Sequence, residues 1–390
     1  MKMNFLKTTF AAIIAILTFC PHSFGQNDSI AETPSRIKFT DRSDMCFQMR
    51  GSFNLEMPQN EKIYSRFRID DFRWNIEGTV GKQFYYRFRQ SFNTAFKTMS
   101  WDNLLSSVNY AFVTWKPNEK VSFTAGKQVF ALGGHEFWAT PVYVVQFSDF
   151  GKSLSAYQLG LNANWSISPT QELVFQVCNI RGNSNSEYYY AGLPDGVSSA
   201  RFPYIYTLNW NGNFLKDKSL EFRYSASYGN QAENKSMWIL SLGQSWRNRK
   251  WGVYFDVMWS RQALDASSII SSSMNFADGA SRTATNTQYL SSVAYLHFFI
   301  SPSFNIFVKG AGEAGGFYKP YMNAGPGICR VNWNAQGCLQ YMPTKDKGFR
   351  LFAHYNYYNR HASGDGKLLG ITSTNDHLVS LGVIYIMNVF

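Results

Sequence analysis

The chain has 390 residues, 17% of them aromatic and 16% charged, with a formal net charge of +11. Soluble domains carry about a quarter charged residues and fewer rings, so the composition argues against a soluble multidomain protein. Beyond residue 25 no apolar run approaches the ~18 residues of a membrane-spanning helix, which leaves strands as the means of crossing a bilayer.

At the N-terminus Lys2 and Lys7 precede an apolar run from Thr9 to Cys20, and Ser23 and Gly25 put small residues ahead of Gln26. This pattern predicts a secretory signal peptide over 1–25; a lipoprotein reading at Cys20 is opposed by the bulky Phe19. Residues 26–43 follow as a short periplasmic segment, and 44–390 as an all-β transmembrane antiparallel barrel of about 16 strands. Alternation and turn residues predict strands at 44–57, 65–80, 83–93, 103–117, 121–131, 157–168, 171–182, 201–214, 219–231, 236–249, 251–262, 287–300, 304–315, 327–343, 349–360 and 376–390. Each reaches the ~9 to 11 residues that a tilted strand needs to cross the hydrocarbon layer. Every second connection is short, as at Val80-Gly81-Lys82, Ser168-Pro169-Thr170 and Ser301-Pro302-Ser303, whereas 183–200, 263–286 and 361–375 are long and polar. Short periplasmic turns alternating with long external loops point to the outer membrane of a Gram-negative cell.

Several strands declare two faces. Phe84, Tyr86, Phe88 and Phe92 oppose Tyr85, Arg87, Arg89 and Ser91, and Leu220, Phe222, Tyr224, Ala226 and Tyr228 oppose Glu221, Arg223, Ser225 and Ser227. The polar rows predict a water-filled lumen and the aromatic rows a lipid face. Strands 103–117 and 121–131 alternate poorly, and their faces stay open. Four cysteines lie beyond the signal: Cys46, Cys178, Cys329 and Cys338. Cys329 and Cys338 share one predicted strand, roughly 30 Å apart at ~3.3 Å per residue, and cannot bridge. All four read as buried small hydrophobes.

The segment FTAGKQVFALGGHEFWATPVYVVQFSDF, Phe123 to Phe150, resembles the phosphate-selective porin O and P family, and YRFRQSFN and YAFVTWKP resemble the strands leading into it. The resemblance implies a sixteen-stranded trimer with one long loop folded into each lumen. That loop would be 132–156, with Gly133, Gly134, His135 and Glu136 as its constriction-loop residues, although wall packing competes with gating for His135 and Glu136. Members that select phosphate line the pore with arginine and lysine. The last strand, ending at Phe390, looks like the signal read by the outer-membrane assembly machinery, with a longer spacing from Gly382 than usual.

Inward parity gives Arg50, Arg73, Arg87, Arg89, Arg223, Lys309, Arg330 and Arg350 as lumen cations against Glu77, Glu221, Asp256 and Glu313, eight against four. Lys127, just before the loop, joins the pore-lining candidates on ambiguous parity. A low-dielectric channel focuses such a surplus and concentrates anions. Each arginine has an equally physical alternative, a wall charge that stiffens the barrel. His297 and His354 face inward without paired ligands, so neither a metal site nor any other cofactor is expected. The basic residues are dispersed rather than clustered, which argues against nucleic acid, and external cations are expected to meet lipid and lipopolysaccharide phosphates. The expected function is passive diffusion of small solutes, favouring anions such as phosphate. A barrel enzyme of lipase or protease type lacks a G-x-S-x-G frame, an adhesin would carry longer external loops, and an energy-coupled transporter would need a plug domain.

Overall fold

Strict period-two alternation fixes which face of each strand meets lipid, and closure then removes every unpaired sheet edge. The computed structural model describes residues 43–344 and 347–389; the expected signal peptide, most of the segment after it and Phe390 lie outside them. Among the described residues sixteen antiparallel strands form one closed barrel: β1 (Ser43–Met57), β2 (Tyr64–Val80), β3 (Phe84–Ser91), β4 (Val108–Trp115), β5 (Val121–Val129), β6 (Tyr157–Ser168), β7 (Gln171–Asn179), β8 (Tyr204–Phe214), β9 (Leu220–Ala232), β10 (Lys235–Arg247), β11 (Trp251–Leu264), β12 (Thr285–Ser301), β13 (Phe304–Phe317), β14 (Gly327–Tyr341), β15 (Phe349–Ala362) and β16 (Thr374–Asn388). Each strand pairs with its sequence neighbours, and β1 closes the ring on β16 from Cys46↔Asn388 to Met57↔His377.

The lipid face is as apolar as the alternation demands. On β10, Trp238, Leu240 and Leu242 are exposed outward while Met237, Ile239 and Ser241 are buried inward. Outward rings pack across strands, with Tyr228 and Trp238 at 4.8 Å and Trp246 and Trp251 at 4.6 Å between centroids. The alternation of short and long connections has one exception. β9 and β10 are joined at the external end by the two residues Glu233 and Asn234, with Asn234 at φ 56, the left-handed conformation that a two-residue hairpin requires.

Two findings depart from the sequence reading. First, the inner face is polar on β9 but not throughout. Ile205, Met237, Ile239, Met258 and Tyr289 point inward and are buried with Phe130, Leu132, Phe150, Ile270 and Met274 from the connections. A dry core therefore lies inside the barrel, built by folded-in loops against β8–β12. Second, a β-bulge sits in β2: Arg50 pairs with Asp71 and the next residue, Gly51, with Ile69. Asp70 is the extra residue, and both aspartates turn inward, where Ser52 donates to Asp70 at 2.5 Å and Arg73 meets Asp71 at 2.8 Å. The bulge also resets the parity of the residues before it. Of the cysteines, Cys178, Cys329 and Cys338 are buried and Cys46 is half-buried; all four are free thiols.

Candidate functional site

The loop between β5 and β6, residues 130–156 (L3), leaves the wall and folds into the lumen. Its descent depends on Gly133 and Gly134, which let backbone lie directly on backbone. A Cβ at Gly133 would stand 2.7 Å from the carbonyls of Arg223 and Ser241, and one at Gly243 would stand 2.5 Å from Gly134 Cα. Gly133 N donates to Ser225 Oγ at 2.7 Å, and Gly134 N donates to the Arg223 carbonyl at 3.2 Å.

Two wall carboxylates then clip the loop by its amides. Asp256 on β11 accepts from His135 N at 2.8 Å and Glu136 N at 2.7 Å. Glu313 on β13 accepts from Asp149 N and Phe150 N at 2.8 and 2.9 Å, capping the short helix α1 (Asp149–Ser153), whose N-cap is Ser148. The loop's own acids are turned backwards. Glu136 is fully buried, paired with Lys309 and accepting from Ser148 N at 2.9 Å. Asp149 accepts from Arg330 at 2.5 Å, from Tyr358 OH at 2.7 Å and from Asn332.

The structure places all eight strand cations on the inward face, but it divides them into two groups. Four are buried against L3. Arg50 donates to the carbonyls of Pro141, Val142 and Val144 at 2.9, 3.2 and 2.6 Å. Arg223 pairs with Glu221 at 2.8 Å beneath the Trp138 ring, Lys309 donates to Gln146 O at 2.7 Å, and Arg330 reaches Ile269 O at 3.1 Å as well as Asp149. Arg350, near the short-turn end, lies 4.2 Å from the Tyr143 ring centre. The second group stands on β2 and β3, beside Arg50, whose Nε lies 3.8 Å from Asp70. Arg73 pairs with Asp71, Arg87 with Glu77 at 3.4 Å, and Arg87 and Arg89 both stack on Tyr110, at 4.6 and 4.1 Å. Arg89 also donates to Tyr157 OH at 2.6 Å and is itself buried.

Arg66 and Arg68 join this column, and parity counting misses them because the Asp70 bulge lies between. The doublet Asp70-Asp71 was the available signal: two adjacent acids cannot both face one side of a regular strand. The inward charges of β1–β3 are thus Arg50, Arg66, Arg68, Arg73, Arg87 and Arg89 against Asp44, Glu56, Asp70, Asp71 and Glu77, six to five. Toward the external end the cations stand forward of their partners. The Arg66 and Arg68 side chains are 48% and 46% exposed, against 26% for Glu56 and 16% for Asp70.

Lys127 requires a correction. It pairs in register with Ala111 and Leu159, both outward-facing, and so sits on the outer side of the wall. It is nonetheless buried, because the loop between β3 and β4 (L2, 92–107) folds over the outside of β5–β7. There Met99 Sδ lies 3.9 Å from Lys127 Nζ, and Asn179 donates to Asp102 at 2.8 Å. Among the described residues no cluster of three or more His, Cys, Asp or Glu is arranged to hold a metal ion.

A cationic wall facing an anchored loop inside a closed barrel is an arrangement for passage, and comparisons with known proteins agree on the architecture. DcaP, an outer-membrane channel of Acinetobacter baumannii, is similar with a TM-score of 0.61 at 13% identity, over 88% of this chain and 97% of that one. An anion-selective porin from Comamonas acidovorans is similar at 0.55 and 7% identity, over 89% and 100%. OmpT of Vibrio cholerae, in a trimer form, is similar at 0.52 and 10% identity, over 89% and 99%. No curated protein gives a significant sequence match. The profile of one family, phosphate-selective porin O and P, matches residues 44–386, nearly the whole chain. The protein is therefore an outer-membrane channel that belongs to the phosphate-selective porin O and P family.

Proposed function

We propose that the channel conducts small solutes passively, without catalysis, and favours anions, and that the arginines of β2 and β3 that keep contact with water set that preference. The observation that carries this reading is the division of charge around L3. The loop covers Arg50, Arg223, Lys309 and Arg330 and uses its own Glu136 and Asp149 for anchoring, whereas Arg66 and Arg68 stand well into the water and Arg73 and Arg87 keep a smaller share of surface there. A surplus of forward-standing guanidinium groups in a low-dielectric tube draws anions and holds their oxygens two at a time. Association as a homotrimer, contact with lipopolysaccharide and insertion through the C-terminal strand belong to the same reading. The homotrimer is supported by the family and by the trimer form of OmpT among its fold relatives.

Reversal potentials in planar bilayers under a salt gradient test it. The wild-type chain should be anion-selective, and Arg73→Glu with Arg87→Glu should drive the reversal potential toward cations. Cation preference in the wild type would overturn the proposal.

A further inference from the structure

The acids of L3 face its anchors, and what the loop shows to the passage is apolar. From Phe137 to Ser148 the sequence FWATPVYVVQFS holds no charged residue. Within it Trp138, Tyr143, Val144, Val145 and Phe147 remain half-buried, with surface facing the lumen, while Val142 is sealed against Tyr295, Phe307, Phe352 and Ile384. Toward the short-turn end the division continues on the wall. β11 and β12 send Tyr254, Tyr295, His297 and Phe299 inward in a staircase of rings, with centroids 4.9, 5.8 and 5.6 Å apart. β11 stands eight strands round a sixteen-strand ring from β3. The rings therefore face the arginine column from across the lumen, and they carry cations of their own: Arg350 lies 4.2 Å from the Tyr143 ring centre, Lys347 4.8 Å from that of Phe299 and Arg223 5.3 Å from that of Trp138.

We infer that the cargo for which this channel is built is an amphiphilic organic anion, an aromatic carboxylate, rather than inorganic phosphate. The inference rests on the anion reading above and narrows it. A free phosphate engages the charges of either side and gains nothing from the ring surface. A carboxylate carrying a ring engages both at once, its oxygens on Arg73 or Arg87 and its ring on Tyr143, Trp138 or, lower down, Phe299. A neutral ring lacks the first contact and a short carboxylate the second. Seating of the loop explains Tyr295, Phe307 and Phe352, which are buried, but not the rings that keep lumen-facing surface.

The test is current interruption in single wild-type channels in planar bilayers, titrating benzoate, 2-naphthoate, acetate, inorganic phosphate and benzyl alcohol into the same chloride bath. Benzoate and naphthoate should interrupt the current at concentrations roughly tenfold below acetate or phosphate, and benzyl alcohol should not interrupt it at comparable concentration. Tyr143→Ser and, separately, Phe299→Ser should reduce that margin, read as the ratio of benzoate to acetate in the same channel so that any change in the cations beside the ring cancels; the second lies outside the loop, so a loop rearrangement cannot imitate it. Phosphate interrupting as well as benzoate, or both serine variants retaining the full margin, would sink the inference and leave the anion channel standing. Cation selectivity in the wild type would remove the anion reading first.

Discussion

The two sides of this lumen treat charge in opposite ways. Where L3 packs on β9, β11, β13 and β14, the ionic groups that meet it are buried and used up. Glu221 and Arg223 meet each other, Asp256 and Glu313 each take two loop amides, and Lys309 and Arg330 take the loop's acids. On the β2–β3 side Asp71 and Arg89 are buried too, but Arg66 and Arg68 stay in water, more exposed than the acids they pair with. Burial turns a charge into an anchor, because leaving it unmatched costs several kcal/mol, whereas a hydrated pair costs little to open and stays available to a passing ion. Arginine alone therefore says little about selectivity in such a barrel; the cover over it decides.

The sharpest way to break this contrast is to remove the clips. Asp256→Ala with Glu313→Ala leaves four loop amides unsatisfied, at about 1–3 kcal/mol each. L3 should leave the wall, raising single-channel conductance by roughly twofold or more, while the barrel stays folded. Unchanged conductance would mean that the apolar contacts and the Arg50, Lys309 and Arg330 contacts hold the loop without the clips. A smaller effect tests the anchoring pair: Arg223→Met should lower stability in urea by about 3–5 kcal/mol, because Glu221 is stranded, and Arg223→Met with Glu221→Leu should recover most of it. Equal losses in the single and double variants would contradict the pairing. Lys127→Ala should cost ~1 kcal/mol or less, through lost packing under L2, and leave the reversal potential where it was; a shift would return Lys127 to the lumen side.

The gentlest test concerns the outside of the wall, where L2 is tied to the loop between β7 and β8 by Lys97 and Glu187. The Lys97 hydrogen bond holds the Glu187 carboxyl below its usual range, with Ser100 assisting. For a lowered carboxylate the tie is complete above the ordinary glutamate value of about 4.3 and is lost as the pH falls through the lowered one. Protease cleavage within 92–107 should accordingly rise at acid pH and not between neutral pH and about 6. A cleavage rate flat across the whole range would remove the tie from the account.

How much of this was legible in the sequence follows from what each feature depends on. Strand positions and most faces depend on neighbours two residues away, so Tyr85, Arg87 and Arg89 could be placed by inspection. Lys127 could not, because its cover comes from Met99 in another loop. The anchoring of L3 joins residues more than a hundred positions apart, such as Glu136 to Asp256 and Asp149 to Arg330, and no local pattern encodes those meetings. The inner apolar core left a trace that period-two reading passes over. In Val293-Ala294-Tyr295-Leu296-His297-Phe298-Phe299 both faces are apolar or aromatic, the signature of a strand covered on both sides.

The free thiols carry one last consequence. A chain bound for the outer membrane crosses an oxidising compartment with Cys46, Cys178, Cys329 and Cys338 all reduced, and four thiols can join in three ways. Closing the barrel seals Cys178, Cys329 and Cys338 away from one another's reach and from solvent. Assembly is thus a race against cross-linking, and variants that insert slowly should betray themselves as oxidised ladders on non-reducing gels that disappear when every cysteine is replaced by serine.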